Sequence, residues 1–265
     1  PGADGRHESG RWRAGRRWRK LSSSASQLFL TRRWTLLIAA LGLLLGRAVI
    51  LDTLAPFAVA YFAVIWFLRR DAAFVAALAL IAGGWLAAEP EGWTTAAEIV
   101  VFFLLARGME AYERAEISYA PLLAFISALL VQLFGVVMDK ALDGYQLLMV
   151  GVEAGLAFVL TLVFVQAIPV LMLTKKPALL RNEEVICLMI LLAAIMTGAA
   201  GWTVYGMEIT HILSRYVLLL FALAGGALLG ASVGVIAGLI LSLADFGALL
   251  QMSLLAFAGL LAGLL

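Results

Sequence analysis

Trp34-Thr-Leu-Leu-Ile-Ala-Ala-Leu-Gly-Leu-Leu-Leu-Gly-Arg-Ala-Val-Ile-Leu51 carries Arg47 as its only charge. As a helix rising about 1.5 Å per residue, such a run nearly spans the roughly 30 Å hydrocarbon core of a bilayer. Comparable apolar runs follow one another to Leu265, separated by short charged or Gly/Pro punctuation. The pattern predicts an all-α, polytopic transmembrane helical bundle. Composition agrees: hydrophobic residues make up 64% of the chain and mean hydropathy is +1.02. A soluble domain holds roughly 45–50% apolar residues. Charged residues are 14% of the total.

The runs from 34 to 265 allow about ten crossings at about 20 residues each. Residues 1–33 form a separate basic tail, and no other stretch is long and polar enough for a soluble domain. Cys187 is the only cysteine, which excludes an intrachain disulfide or a cysteine-built metal site; it reads as a small core residue. The chain starts at Pro1 and its last apolar run is unfinished at Leu265, so a fragment of a longer protein is expected.

In the tail, Arg6, Arg11, Arg13, Arg16, Arg17, Arg19, Lys20, Arg32 and Arg33 are interleaved with Trp12 and Trp18 and precede the Ser-rich stretch 22–26. Arginine beside aromatics is also a feature of nucleic-acid binders. The positive-inside rule is the simpler account: a cytoplasmic tail against anionic headgroups, with tryptophan at the interface and no nucleic acid involved. From that start the spans place Asp52, Glu89-Pro90-Glu91, Asp139-Lys140 with Asp143, and the Trp202 to His211 loop outside. Arg69-Arg70, Arg107, Arg114, Lys175-Lys176 and Arg181 fall inside. Of the 19 Lys and Arg, only Arg47, Lys140 and Arg215 are left off the cytoplasmic side.

The run 212–244 is too long for one span and short of the roughly 40 residues that two full spans need. A break is expected near Gly225-Gly226, Gly230 and Ser232, giving two short spans or one span with a re-entrant hairpin. Ten spans return the C-terminus to the cytoplasm; nine leave it outside. Gly226, Gly230, Gly234 and Gly238 recur every four residues, a spacing that lets helix backbones approach closely in lipid. Shorter pairs occur at Gly42/Gly46, Gly151/Gly155 and Gly259/Gly263. Packing within the chain is favoured over self-association for the four-fold run.

Charges inside spans are costly and mark candidate sites. Arg47, Glu153 and Arg215 are expected at similar depth in the outer half. An intramembrane ion pair of Glu153 with Arg47 or Arg215 is the structural reading; a proton or cation pathway through Glu153 is the functional one. Glu98 is expected to snorkel outward, and Glu183 and Glu184 to sit at a helix N-terminus, where the dipole favours carboxylates. No HExxH, GxxxxGK or carboxylate cluster suggests catalysis, cofactor binding or a metal site. Pro56, Pro121 and Pro169 are candidate helix breaks of the kind transporters use.

Gly46-Arg-Ala-Val-Ile-Leu51 with Leu54-Ala-Pro-Phe-Ala58, Arg69-Arg-Asp-Ala-Ala-Phe74, Val152-Glu-Ala-Gly-Leu-Ala-Phe158, Glu183-Glu-Val-Ile-Cys-Leu-Met-Ile190, His211-Ile-Leu-Ser-Arg-Tyr216 and Gln251-Met-Ser-Leu-Leu-Ala-Phe-Ala-Gly-Leu260 resemble, in order and spacing, the N-terminal membrane region of the stage II sporulation protein E family. The basic tail and the Glu89 to Trp93 loop match less clearly.

The resemblance implies about ten spans, then a cytoplasmic region that self-associates and contacts the division protein FtsZ, then a manganese- or magnesium-dependent serine phosphatase. That phosphatase acts on a phosphorylated anti-anti-sigma factor and so activates the forespore sigma factor. The family's metal-binding aspartates have no counterparts here, so no catalytic residue and no metal is expected in this segment. The expected role is a membrane anchor at the asymmetric sporulation septum of the plasma membrane. The rival is a small-solute or ion transporter using Glu153 and the glycine-rich helices.

Overall fold

The computed structural model describes residues 34–50, 54–87, 92–111, 116–138, 143–172, 182–204, 207–244 and 249–264. The basic tail 1–33 lies outside them, as do Asp52, the Glu89 to Glu91 loop, Arg114, Lys140, Lys175, Lys176 and Arg181. The chain divides into two units, Pro1–Ile38 and Ala39–Leu265. Of the first, only the opening turn of α1 is described; the packing below concerns the second.

Nine helices account for nearly all described residues: α1 (Trp34–Arg47), α2 (Pro56–Leu68), α3 (Arg70–Trp85), α4 (Gly92–Ala111), α5 (Ala120–Met138), α6 (Gly144–Leu171), α7 (Asn182–Gly198), α8 (Ile209–Ala244) and α9 (Leu249–Ala262). A 3-10 turn, Ile117–Tyr119, leads into α5. A two-residue antiparallel ladder, β1 (Thr203–Val204) with β2 (Met207–Glu208), lies between α7 and α8. Gly92–Ala111, Ile117–Met138 and Gly144–Leu171 are long and apolar enough to cross a membrane, and the remaining apolar helices are shorter.

The helix ends follow from local chemistry. Pro56 opens α2, where the missing N–H is no loss and its fixed φ suits the first turn. Pro121 is likewise in the first turn of α5. Pro169 lies in the last turn of α6. None of the three breaks a helix mid-span, contrary to their reading as transporter-type breaks. Asp143 precedes α6 and its side chain accepts from Gly144 N–H at 2.8 Å. Asn182 begins α7 with Glu183 and Glu184 in its first turn, as the dipole argument anticipates.

α2 lies at the centre of the first half. Every residue from Pro56 to Ile65 is buried, and the helix touches α3, α4, α5 and α6. A helix buried all round needs no amphipathic stripe. Residues 39–47 of α1 pack on α3 through glycine: a Cβ on Gly46 would overlap the Leu80 carbonyl, and one on Gly83 the Leu43 carbonyl. Gly198 of α7 meets the Leu44 backbone in the same way.

The break expected in 212–244 falls at Gly226, whose φ of 73° is a left-handed value that glycine adopts without a Cβ penalty. The arms 209–225 and 227–244 then fold back on each other. In a continuous helix, positions 222 and 230 would be about 12 Å apart along the axis, yet a Cβ on Gly230 would stand 2.9 Å from Ala222 Cβ. Val217 and Phe221 on the first arm share one apolar core with Val233 and Ala237 on the second and with Met189, Ala193 and Met196 of α7. α9 runs back along the second arm.

Candidate functional site

The three charges expected within spans have distinct surroundings. Arg47 is the last residue of α1 rather than a residue one turn inside it. Just beyond it, Ile50 and Leu54 exchange two backbone hydrogen bonds of 2.8 and 2.9 Å, bringing the chain straight back to α2. The guanidinium of Arg47 lies 4.8 Å from the centre of the Trp202 ring. Its Nη1 is buried without a hydrogen-bond partner among the described residues. The Trp202 face supplies the attraction that a carboxylate was expected to give.

Glu153, on α6, is 2% exposed. Its Oε1 accepts from the backbone N–H of Ala55 at 3.3 Å. Ala55 is the N-cap of α2 and has no side chain able to cap. The carboxylate therefore sits at the positive end of a buried helix and satisfies one of its orphan donors. Arg215 is exposed on the first arm of α8, in a cavity shared with α9. The described contacts thus set Arg47 against Trp202 and Glu153 against the Ala55 N–H, while Arg215 lines the cavity.

Glu98 is 2% exposed, so it is a buried residue of α4 rather than an outward snorkel. Three buried hydroxyls bond back to their own helices: Ser127 to the Ala124 carbonyl at 3.0 Å, Thr161 to Ala157 at 2.6 Å and Thr197 to Ala193 at 3.2 Å. Cys187 is half-buried, its thiol donating to Gln166 Oε1 at 3.6 Å.

The glycine run faces α9. Gly226 lies opposite Gly263, Gly230 opposite Gly259, and Gly234 opposite Leu255 and Ala256. Gly238, one turn further, is also buried. A Cβ on Gly234 would stand 2.6 Å from Ala256 Cα, a backbone contact that cannot rotate aside. Gly42 and Gly46 face α3, whereas Gly151 and Gly155 have nothing within 4 Å. Identical spacing therefore marks packed and open faces alike.

Sequence reasoning missed a cluster at the opposite end from Trp202. Arg70, at the start of α3, pairs with Glu110 near the end of α4 and lies 5.5 Å from the Trp66 ring centre. Trp66 meets Phe103 edge-on, and Arg107 stands over Phe103. The register of the α3–α4 pair creates this group, and no local motif announces it. At the other end Trp85 and Trp93 are ring neighbours at 5.5 Å, beside Gly84, Thr95 and Gly46. The Arg70–Glu110 pair, with Arg107 and Trp66, thus lies at one end of these helices, and Trp85 and Trp93 lie with Arg47 at the other. Among the described residues no three His, Cys, Asp or Glu side chains gather where they would hold a metal ion.

An all-helical fold with apolar surfaces, three helices long enough to span and charges gathered at helix ends is consistent with a membrane domain. A family model described as SpoIIE, N-terminal domain, matches residues 4–265. The chain belongs to that family. It is similar to stage II sporulation protein E of Bacillus subtilis (strain 168), with 42% identity over 226 residues. The matched region covers 85% of this chain and 27% of that protein, so the chain spans about a quarter of its relative. No solved structure matches the chain.

Proposed function

We propose that this chain is the membrane anchor and septal localisation module of a sporulation serine/threonine phosphatase. In this reading it crosses the plasma membrane about ten times, with both termini in the cytoplasm. It concentrates the phosphatase where a phosphorylated anti-anti-sigma factor must be dephosphorylated to activate the forespore sigma factor. Manganese or magnesium, and contacts with FtsZ, belong to cytoplasmic regions outside this chain. Self-association of the anchor raises the effective concentration of linked subunits.

Family membership across residues 4–265 carries the reading. Two structural features support it. The Arg70–Glu110 cluster lies at the end of α2, α3 and α4 that the positive-inside rule assigns to the cytoplasm, and Trp85, Trp93 and Trp202 lie towards the other. Glu153 accepts from the backbone N–H at the start of α2, which gives its carboxylate a structural task. Glu153 also lines neither cavity described on α8 and α9.

Residues 1–265 fused to a fluorescent reporter in a sporulating host provide the test. Enrichment at the asymmetric septum is expected. Even distribution over the cell membrane would reduce the domain to a generic anchor, and reconstituted solute flux abolished by Glu153→Gln would establish the transporter instead.

A further inference from the structure

A cavity of about 670 Å³ opens between the first arm of α8 and α9. It lies within the roughly 300–1,000 Å³ typical of small-ligand sites. Its lining is graded. Arg215 and Ser214 stand at one end, Leu218, Leu219 and Phe257 form the walls, and Leu261 lies towards the Gly226 turn. That direction follows from the packing: α9 is antiparallel to the second arm of α8, so it runs parallel to the first, and its end at Gly263 meets Gly226. The groove is therefore cationic at its mouth and apolar in its depth.

Depth in the bilayer decides what fits. Arg215 is six residues beyond Ile209, the start of α8, and so about 9 Å into the helix. That is the level at which arginine reaches phosphate headgroups while its stem lies along apolar surface. We propose that this groove holds one anionic phospholipid, with its headgroup phosphate on Arg215 and an acyl chain along Leu218, Phe257 and Leu261. The neighbouring cavity on the second arm provides an internal contrast. It is lined by Leu228, Ser232, Val235 and Leu260 and carries no charge, and the Ser232 hydroxyl is bonded to the Leu228 carbonyl at 2.7 Å. That second surface offers nothing to distinguish an anionic lipid from a zwitterionic one.

The proposal rests on the membrane reading above. Its test is native mass spectrometry of the full chain released from nanodiscs of equal phosphatidylglycerol and phosphatidylcholine with matched acyl chains. The expected result is one retained phosphatidylglycerol, preferred about fivefold over phosphatidylcholine, as one juxtamembrane cation would confer. Arg215→Gln should bring the ratio close to one, and Arg215→Lys should keep most of the preference. Phe257→Ala should lower retention of both lipids. Arg32→Gln with Arg33→Gln should leave the part that depends on Arg215 unchanged, separating the groove from the basic tail. Equal retention in the parent chain, or a preference that survives Arg215→Gln, overturns the site. A stable dimer without bound phosphatidylglycerol would mean that a second copy fills the groove, and overturns it too. Failure of the chain to enter nanodiscs would instead remove the membrane reading, and the groove's lipid with it.

Discussion

Gly230→Ala is the sharpest perturbation of the α8–α9 contact. The added methyl would overlap the Gly259 carbonyl oxygen and lie 2.9 Å from both the Gly259 carbonyl carbon and Ala222 Cβ. Ordinary contact begins near 3.4 Å, so the overlapped Gly259 carbonyl oxygen must retreat by about 1.2 Å, taking α9 with it. The obstacles are backbone on one side and a methyl without rotamers on the other, so no side chain can swing away. Overpacking of this kind costs about 1–3 kcal/mol. Gly259→Ala, which would meet the Gly230 carbonyl, should cost a similar amount. The double variant should cost less than the sum, because one separation of the helices relieves both. Gly155→Ala is the matched control: nothing stands within 4 Å, and helix propensity alone favours alanine by up to about 1 kcal/mol. Reversible unfolding in mixed detergent micelles, followed by circular dichroism, measures all four. If Gly230→Ala and Gly155→Ala shift the midpoint alike, the glycine ladder is not what holds α9. A change in oligomeric state without a loss of monomer stability would move that contact between subunits.

Three further outcomes follow from the charged groups. Glu153→Gln keeps an oxygen acceptor for the Ala55 N–H and should cost below about 2 kcal/mol, chiefly charge–dipole energy; Glu153→Ala strands that buried donor and should cost about 1–3 kcal/mol more. The same unfolding assay checks the order, and equal losses would point to the charge rather than the hydrogen bond. A double-mutant cycle on Arg70→Ala and Glu110→Ala should give a coupling below about 1 kcal/mol that fades with salt, since the Arg70 side chain is 57% exposed. Trp202→Ala should destabilise more with Arg47 present than in an Arg47→Leu background, by about 0.5–2 kcal/mol; thermal unfolding of the four proteins tests it.

Helix positions were legible because each depends on local sequence. The charged loops at Asp52, Arg69-Arg70, Arg114, Asp139 to Asp143 and Lys175-Lys176 delimit apolar runs, and α2, α5 and α6 lie within them. The break in 212–244 was legible because only a Gly-Gly step interrupts an otherwise helical run. Partners were not legible. Glu153 was matched to arginines because side-chain charge is visible in sequence, whereas its described partner is a main-chain amide. The signal was nevertheless present in Ala55-Pro56, which marks a helix start with orphan donors and no capping side chain. Glu98 was sent outward from its place in the run, but burial is decided by which face of α4 meets its neighbours. The exposed surfaces of these helices are as apolar as their contacts, so hydrophobic periodicity distinguishes the two poorly.

The burial of α2 from Pro56 to Ile65 orders the chain's biogenesis. Its 13 residues leave the ribosome before α4, α5 and α6, the helices that later enclose it, and at about 1.5 Å per residue they fall short of a roughly 30 Å core. The carboxylate that meets its N-terminus arrives almost a hundred residues later, on α6. Until that helix is made, α2 has neither its walls nor its Glu153 cap. The second helix of the nascent chain is therefore a provisional one, completed by the sixth, and a truncation before α6 releases a chain whose central helix has no finished place to go.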